Sequence, residues 1–188
     1  MEKEEARKHF LSKRKRLSDE TFSALNSKLC DVFFRSIDLR TVKTLHTFLP
    51  IKKQKEVDTW LIIGRLEKEF PHIRVAIPRV NNESSAIESF LFEGEHQLSE
   101  NMWGIPEPNS GIPIQSHEID IVLTPLVVAD LKGNRVGYGR GFYDRFLVET
   151  RARKVGLSLF PPIEQLTGID PTDVPLDALI TPEQSYSF

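Results

Sequence analysis

Between positions 133 and 145 the chain reads Gly133-Asn134-Arg135-Val136-Gly137-Tyr138-Gly139-Arg140-Gly141-Phe142-Tyr143-Asp144-Arg145. Four glycines fall within the first nine of these residues. Glycine lets a backbone bend freely and approach a ligand closely. An apolar run from Ile119 to Ala129 precedes the segment and reads as a buried strand; Phe146-Leu147-Val148 follows it and reads as the start of a helix. A glycine-rich turn between strand and helix aims backbone N–H groups and the positive helix end at an anion, usually a phosphate. Arg135, Arg140 and Arg145 add positive charge, and Asp144 adds a carboxylate of the kind that holds Mg²⁺ beside substrate phosphates.

This is neither standard phosphate loop. No Gly-Lys-Ser/Thr follows, which excludes a Walker A loop. Gly137-Tyr138-Gly139-Arg140-Gly141 does not complete the spacing of a dinucleotide fingerprint. A plainer reading stands beside the phosphate site: a hairpin turn at Lys132-Gly133-Asn134, then a connection that needs glycine for packing.

Residues 1–16 carry seven basic side chains against three acidic ones, in a chain whose net charge is −2. Strong helix formers dominate there. Lys3 and Arg7 stand four apart and share a helix face, with Arg14 two turns beneath Arg7. Such a run is either a solvated basic helix or a phosphate-facing one. Glu56, in Lys55-Glu56-Val57-Asp58-Thr59, follows a strand-terminal loop and precedes a helix, where negative charge is favourable in any case. Trp103 lies in a proline-rich loop, placed either to stack on a flat ligand or to plug the loop onto the core. Asp173 and Asp177 flank Val174-Pro175-Leu176 and can simply solvate a turn.

Other chemistries find no support. The five histidines (His9, His46, His72, His96, His117) have no partner at metal-ligand spacing, so a zinc site is not indicated. Ser158 is not in a nucleophile elbow. The one cysteine, Cys30, sits near Leu29 and Val32 and reads as a buried free thiol in a reducing compartment. The 188 residues suit one domain spanning 1–188. Neither a secretory signal nor a membrane-spanning run is visible, so a cytoplasmic protein with no membrane or nucleic-acid partner is expected.

These residues need elements to position them. Ser18 with Asp19 and Glu20 reads as a helix start, and Phe22, Leu25, Leu29, Val32 and Phe33 recur at helical spacing. A second helix covers Asp58 to Phe70. Strands are expected over Thr41–Leu49, Ile73–Ile77 (closed by Pro78), Ile87–Phe92, Ile119–Ala129, Val155–Leu159 and Ala178–Ile180, with an ordered loop over 101–114. Strands alternating with helices argue for an α/β sandwich with a largely parallel sheet. Ligands in such sheets bind at the carboxyl ends of strands, so Pro50–Glu56, the glycine segment and the Thr181 end would gather at one edge.

Taken together, the segments resemble the 5-formyltetrahydrofolate cyclo-ligase (5,10-methenyltetrahydrofolate synthetase) family over nearly the whole chain. The matching pieces are the glycine segment with Pro125 before it, Lys3 and Arg7 with Arg14 behind, and Glu56-Val57-Asp58-Thr59. Gly104-Ile105-Pro106-Glu107-Pro108, Asp173 to Asp177 and Ile180-Thr181 complete the set. The chain has Phe142 where the family usually has tyrosine and Val136 where it has leucine. A glutamine common after the family's late strand has no evident counterpart near Phe160 and Pro161.

The resemblance implies a three-layer, Rossmann-like α/β sandwich of the kind also used by sugar-phosphate isomerases and CoA transferases. It implies ATP- and Mg²⁺-dependent closure of 5-formyltetrahydrofolate to 5,10-methenyltetrahydrofolate, with ATP as co-substrate and a phosphorylated formyl intermediate. It implies that Lys3, Arg7, Arg135 and the run Gly137, Tyr138, Gly139, Arg140, Gly141, Phe142, Tyr143 and Asp144 take ATP, with Lys3, Arg140 and Tyr143 catalytic. Ile51, Glu56, Trp103 and Tyr143 would take the folate, and Asp144 and then Asp177 the Mg²⁺. A monomer or weak homodimer is expected. Three rivals stand against this reading: an isomerase or acyl-CoA-handling enzyme on a similar sheet, a folate or nucleotide binder without turnover, and a nucleic-acid binder using the basic N-terminus.

Overall fold

The computed structural model describes every residue except Asn82, Met102 and Trp103. In chain order the elements are α1 (Lys3–Lys15), α2 (Asp19–Ser36), β1 (Thr44–His46), α3 (Trp60–Glu69), β2 (Arg74–Asn81), β3 (Ala86–Leu91), β4 (Leu98–Glu100) and β5 (Pro106–Pro108). There follow β6 (Pro113–Ile114), β7 (Ile121–Pro125), β8 (Val128–Ala129), β9 (Arg135–Val136), α4 (Phe142–Val148), β10 (Arg153–Leu157), β11 (Ala178–Ile180) and β12 (Ser185–Ser187). The main sheet has the order β12-β11-β10-β7-β1-β2-β3-β6. Its centre, β11 through β2, is parallel, and antiparallel strands close both edges.

The alternation of side chains along the strands makes the layers. Leu45, Val75, Ile77, Ile121, Leu123, Val155 and Leu157 face α2 and α3, where Leu29, Phe33, Ile62, Ile63 and Leu66 meet them. Ala76 and Val122 turn the other way, to Phe146 and Leu147 of α4. Each such side chain contributes roughly 1.5–3 kcal/mol over exposure, which is what holds the layers together. Ser18 starts α2 as its type predicts: its Oγ accepts from the Thr21 N–H at 3.1 Å. The result is the three-layer α/β sandwich with a largely parallel sheet that the sequence implies.

Several boundaries differ for identifiable reasons. The run Ile119–Ala129 is not one strand. The main-sheet strand ends at Pro125, and the chain then leaves the sheet to form a separate hairpin of β8 with β9. Asp130 builds the hairpin turn: its buried carboxylate accepts from the N–H groups of Lys132, Asn134 and Leu166 and from the Asn134 amide. Gly133 sits at φ +81°, and a Cβ there would lie 2.9 Å from the Leu176 carbonyl oxygen. The plainer, structural reading therefore holds for this first glycine.

Pro78 does not close its strand, because β2 continues to Asn81. It lies beyond the last paired residue of β1, where its missing N–H leaves no ladder bond unmade. The 101–114 region is less irregular than expected: β5 pairs with β4, and β6 joins the main sheet.

Candidate active site

A cleft of about 1460 Å³ opens over the carboxyl ends of β1 and β7. That exceeds the roughly 300–1,000 Å³ of a one-ligand pocket and leaves room for two. Segments distant in sequence line it: the N-terminal helix, the loop after β1, the glycine segment, Pro78 and Val80 of β2 with Ile87 of β3, residues 105–107 and residues 170–175.

α1 is held against the β8–β9 hairpin by Ala6 and Phe10, which pack with Val127, Val128, Val136, Phe160 and Leu166. This seats Lys3 and Arg7 on the cleft wall. The Arg7 Nε donates to the Gly137 carbonyl at 2.8 Å. The Lys3 ammonium is paired with Asp173, a residue whose sequence context suggested only turn solvation but which lines the same cleft. Arg140 stands exposed at the rim, and its carbonyl accepts from the Arg145 guanidinium. Arg145 also lies over the Phe142 ring, 5.3 Å from its centroid.

The glycines after Gly133 differ among themselves. Gly139 and Gly141 have φ of +91° and +66°, so glycine is required by the backbone. Gly137 has no such φ, and a Cβ there would meet nothing within 4 Å. No part of the folded chain demands glycine at 137, and the space beside it is open. Gly141 precedes α4, which is shorter than the sequence pattern of a phosphate-binding helix suggests but starts earlier, at Phe142.

On the other side of the cleft, Glu56 is buried. Its Oε2 accepts from the Ile51 N–H at 2.6 Å. Burial pushes the Glu56 carboxyl above its usual range, against the Ile51 bond, the Tyr138 hydroxyl and the nearby Arg14 charge, which lower it. Tyr143 lies between α4 and the sheet, its ring near those of Phe146 and His46 at 6.2 and 6.3 Å between centroids. Its hydroxyl oxygen is buried with no protein partner, and burial drives its ionisation far up, so it is a neutral donor awaiting an acceptor. His46 is buried without a hydrogen bond and is kept neutral, its pKa lowered to about 3 by desolvation.

Four expectations need correction or relocation. Arg135 lines the cleft, but its guanidinium is largely buried there, bonded to the Asp144 carboxylate at 2.7 Å and to the Val174 carbonyl. Burial lowers its pKa, and Asp144 opposes that shift. Tyr138 lines the cleft beside the basic group, and its hydroxyl accepts from the buried Arg14. Asp177 is not at the site. It precedes β11 at the amino end of the parallel strands, and its carboxylate accepts from the Lys154 N–H at 2.7 Å. Thr181 likewise turns away, bonding to Gln184. Trp103 lies outside the described residues.

Asp144 is thus the one proposed metal ligand on the cleft wall. Its Oδ1 is taken by Arg135 and by the Val174 N–H, which leaves Oδ2. Among the described residues no group of three or more histidine, cysteine or acidic side chains could hold a metal. The donor set fits Mg²⁺ only in the manner usual for nucleotide enzymes, one carboxylate oxygen with phosphates and water supplying the rest.

Two buried residues, Arg14 and His46, touch residues of the cleft wall without lining the cleft themselves. Arg14 was visible as the next member of the Lys3–Arg7 face, and its burial is the tertiary fact that gives it a partner. His46 carries no sequence signal beyond its place in an apolar run.

Comparison with known proteins agrees with this arrangement. The model of the 5-formyltetrahydrofolate cyclo-ligase family matches residues 1–182. A probable 5-formyltetrahydrofolate cyclo-ligase of Schizosaccharomyces pombe is 31% identical over 186 residues, covering 90% of this chain and 89% of the relative. Among solved structures, the 5,10-methenyltetrahydrofolate synthetase of Aquifex aeolicus superposes with a TM-score of 0.85 at 30% identity, covering 100% of this chain and 93% of the other. The synthetase of Mycoplasma pneumoniae gives 0.73 at 26% identity, covering 97% and 99%. With a family match over almost its full length and a cleft that joins the basic helix, the glycine segment and the buried glutamate, the chain belongs to the 5-formyltetrahydrofolate cyclo-ligase family.

Proposed function

We propose that this chain closes 5-formyltetrahydrofolate to 5,10-methenyltetrahydrofolate, with ATP converted to ADP and phosphate. One observation carries the reading: a single cleft has a basic, glycine-lined wall on one side and a buried carboxylate on the other, with the unpartnered Tyr143 hydroxyl between α4 and the sheet. Cyclisation needs that combination. A formamide carbonyl is a poor electrophile and its oxygen a poor leaving group. Transfer of the γ-phosphoryl to the formyl oxygen gives an activated imidate, the neighbouring folate nitrogen attacks its carbon, and phosphate leaves.

The protein's part is positioning and charge stabilisation. Lys3, Arg7 and Arg140 neutralise the phosphates as transfer proceeds. The backbone from Gly137 to Gly141 comes close to them, and the open space at Gly137 supports that approach. Arg135 fixes Asp144 rather than touching ATP through its own charge. Asp144 Oδ2, with the phosphates, would hold Mg²⁺, which supplies charge neutralisation when bound. Tyr143 donates its hydroxyl hydrogen to the formyl group. Glu56 accepts from the amide-like edge of the pterin, and Ile51 and Phe142 supply apolar wall. A cytoplasmic location goes with this substrate pair and with the buried free thiol of Cys30.

The test is near-ultraviolet absorbance of the purified protein with 5-formyltetrahydrofolate and Mg²⁺. The methenyl chromophore should grow only when ATP is added. Folded protein that binds the folate yet gives no chromophore with ATP would reduce the reading to a binder, and absence of folate binding would remove it.

A further inference from the structure

Of the three arginines in the glycine segment, Arg145 has no part in the function proposed above. It stands exposed on α4 and lines the cleft. Long side chains on a helix point back toward its amino end, and this one does so. Its Nη2 donates to the Arg140 carbonyl at 3.2 Å, and its guanidinium lies over the Phe142 ring, 5.3 Å from the centroid. Its Nε donates to the Ser85 carbonyl at 3.1 Å, in the turn between β2 and β3. Gly141 leaves room for Nη1, since a Cβ there would lie 3.1 Å from it. These neutral contacts fix the guanidinium in space and leave its charge unpaired. Among the described residues no carboxylate pairs with it, and Nη1 has no acceptor. Other cations of the cleft are engaged: Lys3 and Arg135 each pair with an aspartate, and Arg7 is turned to Gly137 on the α1 side.

Strand order relates Arg145 to Glu56. Glu56 follows β1, β2 lies beside β1, and β3 lies beside β2. Pro78 and Val80 of β2 and Ile87 of β3 line the cleft, and Val80 is the register partner of Ile87. Ser85, which accepts from Arg145, comes two residues before Ile87. Phe142 lines the same cleft against Arg145. Of the other carboxylates on the cleft, Glu107 accepts from the Val80 N–H at 3.1 Å and Glu149 is exposed; neither pairs with Arg145. Across the strands the cleft therefore runs from a buried carboxylate, over a mainly apolar strip, to a fixed and unpaired cation.

We propose that Arg145 takes a tail carboxylate of 5-formyltetrahydrofolate and makes the site select a folate with an anionic tail over an uncharged analogue. The proposal rests on the reading of this cleft as a folate site with Glu56 at the ring. The substrate has three parts in the matching order: a ring edge that donates hydrogen bonds, a flat aminobenzoyl middle, and a glutamate tail with two carboxylates. A guanidinium offers a carboxylate parallel N–H donors and keeps its charge at every working pH. Held beforehand by two carbonyls and a ring, it loses little freedom when the tail arrives. Its exposure limits the gain, because water and salt screen the pair. The tail carries no reacting atom, so the contact acts on KM rather than on kcat.

The experiment measures KM and kcat for 5-formyltetrahydrofolate and for its diamide, in which both tail carboxylates are carboxamides, on the parent, Arg145→Gln and Arg145→Lys, with ATP and Mg²⁺ saturating. In the parent the diamide should show a KM about fivefold above that of the acid at similar kcat, the scale of an exposed ion pair. In Arg145→Gln the two KM values should converge through a rise in that of the acid, and Arg145→Lys should keep an intermediate ratio. A role confined to holding the β2–β3 turn would move both substrates together, so equal rises in Arg145→Gln overturn the proposal. A parent that uses acid and diamide with equal KM overturns it without any variant, while leaving the cyclo-ligase reading in place. A parent that neither binds nor converts 5-formyltetrahydrofolate removes that reading, and the proposal falls with it.

Discussion

The two walls of the cleft solve different electrostatic problems. The phosphate wall is half open: Lys3 and Arg7 are partly exposed, Arg140 is at the rim, and the backbone between them is glycine. It meets a ligand that brings its own charge, and an exposed cation stays charged without help. The wall proposed for the folate is closed: Glu56 is buried, and Tyr143 hides its hydroxyl. In the proposed reading it takes the uncharged ring of the folate, so it must hold charge and donors ready in a place that disfavours them. Protein electrostatics are weak where water screens and strong where it is excluded. The phosphate wall can thus be assembled from residue types, whereas the folate wall depends on partners.

The difference gives a graded series of tests. Removal of a phosphate-wall cation should do the most. Lys3→Ala and Arg140→Ala are each expected to cut kcat/KM for ATP roughly 100-fold with little change in Tm. Lys8, on the same helix but paired only with Glu4 and largely exposed, is the control: Lys8→Ala should leave both readouts unchanged. Equal losses at 3 and 8 would reduce the phosphate wall to a diffuse basic surface.

Tyr143→Phe comes next. Its hydroxyl has no protein partner, so removal should leave Tm unchanged or raised. Turnover of 5-formyltetrahydrofolate should fall on the order of tenfold or more through loss of the hydrogen bond to the formyl group. Normal turnover would take this hydroxyl out of the reaction.

The glycines separate function from fold within one segment. Gly137→Ala should leave Tm unchanged and raise the ATP KM about tenfold, because nothing but a ligand competes for the space. Gly133→Ala should do the reverse. At φ +81° with a carbonyl 2.9 Å from the new Cβ, it should cost roughly 1–3 kcal/mol of stability. Thermal melts and ATP kinetics on both variants check the pair.

The smallest effect is on stability. Burial raises the Glu56 carboxyl in the folded protein. The folded state therefore binds its proton more tightly than the unfolded state. This favours folding fully below the ordinary glutamate range and is lost as pH rises through the folded value. Glu56→Gln escapes that loss. It should melt higher than the parent at neutral pH, with the advantage vanishing in acid, while folate use falls. A lower melt at neutral pH would mean that the bond from Ile51 outweighs burial.

Much of this molecule is legible from residue order. Ser18 marks the start of α2, Ile62, Ile63 and Leu66 mark the buried face of α3, and the runs read as strands at 119–129, 155–159 and 178–180 each contain, overlap or match a parallel strand. Periodicity and capping are local, so sequence displays them. Lys3, Arg7 and the glycine segment are legible for the same reason: their chemistry follows from residue type and short spacing. Strand ends are less so. Nothing within Ile119–Ala129 announces that the chain leaves the sheet after Pro125, because the competing partner, β9, comes several residues later.

Partner choice between buried groups was decided only by the fold. Arg135 and Arg140 are five residues apart and of one type, yet one is buried on Asp144 and the other stands at the rim. Asp144 and Asp177 are both plausible metal ligands by type, but they lie near opposite ends of parallel strands, and only Asp144 faces the cleft. Tyr138 sits beside the exposed residues of the glycine segment, yet its hydroxyl accepts from the buried Arg14 of α1. The sequence by itself determined which elements form and which chemistry is on hand. Which charge meets which was left to the tertiary structure, since burial and distance, on which electrostatic pairing depends, exist only once the chain has closed on itself.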